Sequence, residues 1–261
     1  DVNDKEGIRS NSIYSLLVDD RGAVWVGHFQ AGLDYSLYQN GLFRTYAYPP
    51  LFNSANLSIR SFVNRGQEKV IGSRDGLFYI NEATGVVKSF VKPVLTSDLI
   101  LTISFYQGEY YIGTYGGGMM VLNPGTLSLK YFAQGDTELF QKGHIFCVKP
   151  DAKGNLWIGT SQGLFCYNGQ TKQIKHFTSA NSQLPEGNVY EVSFDSTGKG
   201  WIATETGMCI YDPASQSLRS NVFPEGFVHR DKVRTIYEDA GHNLYFIREK
   251  GSLFTSTLTM D

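Results

Sequence analysis

Charge, cysteine pairs and long apolar runs are all scarce in this chain of 261 residues. Only 18% of the residues are charged and the formal net charge is −2, with lysine and arginine scattered along the chain. No basic field is available to hold a polyanion, so nucleic acid is not an expected partner. No stretch approaches the roughly 18 consecutive apolar residues of a membrane span, and residues 1–9 are polar with no hydrophobic signal core. A soluble polypeptide with no direct membrane insertion is expected. The three cysteines, Cys147, Cys166 and Cys209, form no C-x-x-C pair, and each falls in an expected strand, which makes them small core residues. The five histidines, His28, His144, His176, His229 and His242, lie far apart with none at a ligand spacing, so no metal or cofactor is expected.

What the chain has instead is aromatic and apolar content: 14% aromatic, with 16 Tyr and 17 Phe, within 41% hydrophobic residues. That balance favours strands and a chain folded throughout. It is also periodic. The segments Val24-Trp25-Val26-Gly27, Lys69-Val70-Ile71-Gly72, Tyr110-Tyr111-Ile112-Gly113, Leu156-Trp157-Ile158-Gly159, Gly200-Trp201-Ile202-Ala203 and Leu244-Tyr245-Phe246-Ile247 align, their last members 45, 41, 46, 44 and 44 residues apart. One glycine follows each segment (Gly32, Gly76, Gly118, Gly163, Gly207, Gly251) and another precedes it (Gly22, Gly66, Gly108, Gly154, Gly198, Gly241). A period of this length decides the architecture before any local reading.

Within one period the turn residues delimit four short strands: Ile145 to Val148, Leu156 to Gly159, Leu164 to Tyr167 and Gln173 to Phe177. Asn168-Gly169 reads as a two-residue primed turn between the last two. Four antiparallel strands repeated at this period make a β-propeller blade, whereas a helical solenoid would show three-to-four apolar spacing. The expected fold is therefore an all-β propeller with six repeats visible, treated as a single domain or fragment over 1–261. Its blades are near 11–46, 58–90, 99–132, 143–177, 187–223 and 231–261. Trp25, Trp157 and Trp201 are expected to pack between neighbouring blades, with about 3–5 kcal/mol lost on replacement by Ala. Turns of the form Asp151-x-x-Gly154, Asp195-x-x-Gly198 and Asp20-x-Gly22 offer one carboxylate each, so they read as self-stabilised turns and not calcium loops.

The pattern Asn11-Ser-Ile13 through Asp20-x-Gly22-x-x-Trp25-Val-Gly27 to Gly32-Leu33-Asp34, with copies from Gly143 to Leu164 and from Gly187 to Met208, resembles the two-component regulator propeller repeat. Val70 and Tyr245 stand where tryptophan is usual. The resemblance implies the periplasmic sensor region of a hybrid two-component histidine kinase from Bacteroides-like bacteria, part of a longer ectodomain. Such regions detect breakdown products of polysaccharides. It also implies that this segment is not itself an enzyme, and it allows a homodimer in the full-length receptor.

By the repeat's connectivity, the loops between second and third strands share one face with the links between blades, where a ligand would sit. The candidates are His28, Phe29, Gln30, Arg74, Asp75, Tyr115, Gln162, Glu205, Arg248 and Glu249. Glu191 joins them, a carboxylate at an innermost-strand position held elsewhere by Ser15, Ser61, Thr102, Cys147 and Thr235. Rings and planar polar groups suit an oligosaccharide. A polysaccharide lyase or glycosidase would need a convergent acid and base, and no pair can be named from sequence. A protein-binding scaffold is the third reading.

Overall fold

The computed structural model describes residues 7–8, 10–19, 21–36, 43–46, 57–132, 137–220, 232–239, 241–248 and 253–256, with the side chains of residues 137, 248 and 253–256 left out of account. The chain divides into two compact units, residues 1–131 and 132–261. The first holds three four-stranded sheets. They run β1 (Ile13–Val18), β2 (Val24–His28), β3 (Leu33–Ser36) and β4 (Phe43–Thr45); β5 (Ile59–Arg65), β6 (Glu68–Ser73), β7 (Gly76–Asn81) and β8 (Val86–Phe90); and β9 (Ile100–Tyr106), β10 (Glu109–Thr114), β11 (Met119–Asn123) and β12 (Ser128–Tyr131).

The second unit opens with a short helix, α1 (Thr137–Lys142), whose Phe140 ring lies 5.0 Å from Phe132 and 5.3 Å from Phe165. Then come β13 (Ile145–Pro150), β14 (Asn155–Thr160), β15 (Gly163–Asn168) and β16 (Ile174–Phe177), followed by β17 (Val189–Phe194), β18 (Gly200–Thr204), β19 (Gly207–Asp212) and β20 (Ser217–Arg219). The last sheet has three described strands, β21 (Val233–Glu238), β22 (Leu244–Arg248) and β23 (Leu253–Ser256). Every sheet is an antiparallel meander in sequence order. The repeated antiparallel blade expected from the sequence is present, and the fold class is the β-propeller.

Within each unit the cores lie between consecutive blades. In the first unit Trp25, Ile59, Phe62 and Ile71 form one cluster and Val70, Tyr79, Ile100 and Ile112 the next. In the second unit Trp157, Val192 and Cys209 form one and Trp201, Val233 and Phe246 the other. All three tryptophans are buried, and each meets a ring of the following blade: Trp25 with Phe62 at 5.0 Å, Trp157 with Tyr211 at 4.4 Å, Trp201 with Phe246 at 6.3 Å. At Trp25 and Trp157 the glycine two residues on, Gly27 or Gly159, lets the next blade come close, whereas Ala203 holds that place after Trp201. A Cβ built on Gly159 would stand 2.5 Å from Cys147 Sγ and 2.7 Å from the Val189 carbonyl oxygen of the next blade.

The indole N–H groups have a recurring partner. An aspartate six residues before the ring accepts from it: Trp25 Nε1 donates to Asp19 at 3.0 Å, Trp157 to Asp151 at 2.9 Å and Trp201 to Asp195 at 2.9 Å. In the last blade the Tyr245 hydroxyl donates to Asp239 at 2.9 Å. The other oxygen of each carboxylate accepts the backbone N–H groups two and four residues on, as Asp151 does from Lys153 (2.9 Å) and Asn155 (2.8 Å). Self-stabilised turns are thus present at Asp151 and Asp195. In the first blade Asp19 is the acceptor, at the same six-residue spacing; Asp20 lies outside the described residues.

Asn168-Gly169 is not a two-residue primed turn. Asn168 Oδ1 accepts from the N–H groups of Gln170 and Thr171, and the left-handed residue is Lys172 (φ 60°). The same loop recurs with Asn81, Asn123 and Asp212 as acceptors and Gly85, Leu127 and Gln216 at the left-handed place four residues on.

Candidate functional site

The second-to-third-strand turn is locked by a hydroxyl at the strand end. Ser73, Thr114, Thr160 and Thr204 donate to the carbonyls of Gly76, Gly118, Gly163 and Gly207 at 2.8–3.1 Å, and all four are buried. In the first blade His28 stands at that position and takes a structural place. It is fully buried, its Nε2 lies 3.0 Å from Asp34 Oδ2, and Thr45 donates to the other Asp34 oxygen at 3.2 Å.

The remaining loop candidates scatter in character. Phe29 is half-buried with its ring 5.3 Å edge-on from Tyr14, and Gln30, Arg74 and Asp75 are exposed. Tyr115 is exposed, and its carbonyl accepts from the Ser97 hydroxyl at 2.8 Å. In the second unit Gln162 is exposed, with its carbonyl 2.8 Å from His176 Nε2. Glu191 pairs with Lys149 at 3.3 Å, and that negative charge raises the lysine pKa. Arg248 ends β22 opposite Val233, but its side chain and all of Glu249 lie outside the described residues.

Glu205 is the candidate with the richest surroundings. The Tyr190 hydroxyl donates to it at very short range, Asn188 Nδ2 donates at 2.9 Å, and Lys232 Nζ stands 3.2 Å from its other oxygen. The Tyr190 hydrogen bond is the first reason its pKa lies below the usual carboxylate range; Lys232 and Asn188 add to it.

The residue that organises this cluster was not among the sequence candidates. Every first strand carries a β-bulge at the same place: the register with its partner skips one residue between Ile13 and Ser15, Ile59 and Ser61, Ile100 and Thr102, Ile145 and Cys147, Val189 and Glu191, and Val233 and Thr235. A bulge leaves one residue outside the ladder and re-aims its side chain. The skipped residues are Tyr14, Arg60, Leu101, Phe146, Tyr190 and Arg234. In the first unit the Arg60 guanidinium lies 4.6 Å over the Tyr14 ring. In the second, Phe146 and Tyr190 meet edge-on at 5.1 Å, and Arg234 lies 4.4 Å over Tyr190. The available sequence signal was the recurring Ile or Val of the first strand; the residue just after it is the bulged one.

Repeated antiparallel blades, cores between blades and a bulged first strand define the propeller fold, with candidate side chains at bulges and turns. Residues 7–30 and 140–162 match the model of the family described as two component regulator propeller. No curated protein sequence matches significantly. Among solved structures, one extracellular domain of a hybrid two component system from B. thetaiotaomicron superposes with a TM-score of 0.78 at 23% identity, over 96% of this chain and 34% of that one. A second such domain from the same organism gives 0.66 at 16% identity, over 99% of this chain and 40% of that one. PorZ, a surface component of the type-IX secretion system of Porphyromonas gingivalis, gives 0.69 at 16% identity, over 97% and 40%. At these identities the likeness concerns the fold, and the chain spans between a third and two fifths of those proteins. Among the described residues no cluster of three or more His, Cys, Asp or Glu could hold a metal ion, and no helix is long and apolar enough to cross a membrane.

Proposed function

We propose that this chain is a ligand-sensing segment of a periplasmic receptor ectodomain of the hybrid two-component type, that its ligand is an oligosaccharide, and that it does not itself catalyse a reaction. The observation that carries this is the bulged first strand. It presents Tyr14, Phe146 and Tyr190 together with the planar groups of Arg60 and Arg234 from one repeated position, and rings alternating with planar donors suit the apolar faces and hydroxyl edges of sugars. The family match and the fold shared with receptor ectodomains support the receptor context. A longer ectodomain is supported by the surface. Leu16 and Val18 on β1 are about two-thirds exposed, whereas Phe62, which follows its bulge as Leu16 does, is buried against Trp25.

A sensor works by binding one of two states better, and the ligand shifts their balance by no more than that difference. The test is a thermal-unfolding screen of the purified chain against oligosaccharides from digested polysaccharides, with product analysis of every mixture. A ligand at 100 times its Kd should stabilise by about 2.7 kcal/mol. A stabilising oligosaccharide recovered intact supports the reading. Its steady cleavage would put the lyase or glycosidase reading first, and no shift with any saccharide would remove the ligand assignment.

A further inference from the structure

The bulge position repeats a particular pair. In the first unit Tyr14 is followed, one blade on, by Arg60, and in the second Tyr190 is followed by Arg234. In both, the guanidinium carbon stands over the preceding blade's ring, 4.6 and 4.4 Å from its centroid. A second ring flanks each tyrosine: Phe29 at 5.3 Å from Tyr14 and Phe146 at 5.1 Å from Tyr190. Each unit therefore brings two rings and an arginine together, the second ring coming from the turn after β2 at Tyr14 and from the preceding blade's bulge at Tyr190.

Stacking fixes the plane of a guanidinium and leaves its N–H groups at the edge, the orientation that accepts a carboxylate or sulfate through two parallel hydrogen bonds. Arg60 makes no ion pair or hydrogen bond among the described residues, and its Nε is buried without an acceptor. A buried cationic donor left unmatched is costly unless something supplies the acceptor. The chain's net charge of −2 and dispersed cations provide no general attraction for a polyanion, so these are sites for single acid groups and not for a continuous phosphate backbone.

We propose that the Tyr14–Arg60 and Tyr190–Arg234 pairs are two separate subsites, each for one acid group of a charged saccharide, with Phe29 lying against the sugar ring at the first and Phe146 at the second. This rests on the oligosaccharide reading above and narrows it to saccharides carrying a uronate carboxylate or a sulfate ester. Each arginine accepts one acid group, and each ring pair sets the sugar's orientation through its apolar face.

The experiment is calorimetry of the 261-residue chain with three probes: tetragalacturonate, its carboxyl-reduced neutral counterpart, and a sulfated galactose tetrasaccharide. At least one acidic probe should bind tenfold or more tightly than the neutral one, with affinity falling as salt is added. Binding of one acidic probe alone identifies carboxylate or sulfate as the group recognised. Arg60→Gln and Arg234→Gln should each weaken that binding by about tenfold or more. Arg60→Lys should restore only part of the loss, because it returns the charge without the fork. Unchanged unfolding midpoints for the variants show that the fold is intact. Equal binding of the neutral probe, or an unchanged affinity in the Arg60→Gln/Arg234→Gln double variant, overturns the proposal while leaving the oligosaccharide reading in place. Failure of both acidic probes to bind overturns it as well.

Discussion

Replacing Asp151 by Ala tests the link between the turn and the blade core. The carboxylate accepts from the Trp157 indole at 2.9 Å, from Asn155 Nδ2 at 2.8 Å, and from the backbone N–H groups of Lys153 and Asn155 at 2.9 and 2.8 Å. Trp157 is buried, so its N–H cannot turn to water, and an unmatched buried donor costs about 1–3 kcal/mol. The backbone donors sit in a turn open to solvent, where water recovers part of the loss, leaving about 1 kcal/mol. The expected total is about 2–4 kcal/mol, read in urea unfolding as a midpoint lowered by about 1 M at an m-value of roughly 2–3 kcal/mol/M. Asp151→Asn keeps an acceptor for one side of the network and presents N–H groups to the other, so it should recover less than half. The decisive measurement is a double-mutant cycle with Trp157→Phe, which removes the indole N–H. In that background Asp151→Ala should cost only the turn's share, giving a coupling of about 1–2 kcal/mol. Equal costs in both backgrounds, or less than about 0.5 kcal/mol in the unaltered chain, would refute the account.

Gly159→Ala should destabilise the second unit by about 1–3 kcal/mol, because the new methyl meets both Cys147 Sγ and the Val189 carbonyl; adding Cys147→Ala should relieve only the sulfur contact, and full rescue by it in thermal melts would count against the backbone clash. Acid should unfold the chain in a graded way. Burial of Asp19 opposes its ionisation, yet hydrogen bonds from Trp25, Ala23 and Arg21 leave its pKa lowered; Asp212 is lowered first by the Ala214 N–H, Glu205 by Tyr190, and Asp239 to about 2 by the Asn243 side chain. Groups with depressed folded pKa values stabilise above the unfolded carboxylate range and lose that contribution as pH falls through the folded values, so unfolding midpoints should hold above about pH 5, fall below about 4 and still be falling near 2. A rise in stability on acidification would contradict this. Burial pushes the Cys166 thiol up to about 12 and raises Cys147 and Cys209 as well, so iodoacetamide at about pH 8 should label none of the three in the native chain and all three in urea. Rapid labelling of a native cysteine would overturn the burial argument.

The blade period, the four-stranded meander and the buried tryptophans were legible in the residue order. They depend on local signals: turn residues, alternation and a large ring at one fixed place per repeat. The role of the aspartates as turn stabilisers was legible at Asp151 and Asp195, while Asp19 as the partner of Trp25 was not, since an Asp-Asp pair leaves the acceptor undecided until the indole's position is known. His28 looked like a loop residue because it follows the strand's glycine; only folding brings it to Asp34 and out of solvent. The loop after Asn168 likewise takes its shape from a left-handed Lys172, a residue type that carries no turn signal of its own.

Sequence by itself determined the repeat and the order of strands within it, because period and turn chemistry act within one repeat. The tertiary structure alone decided which side chains are presented for recognition. A single-residue bulge is invisible in a strand's alternation, and the partners it brings together, Arg60 with Tyr14 and Arg234 with Tyr190, sit 46 and 44 positions apart on neighbouring blades. Such pairs exist only once blade packs on blade.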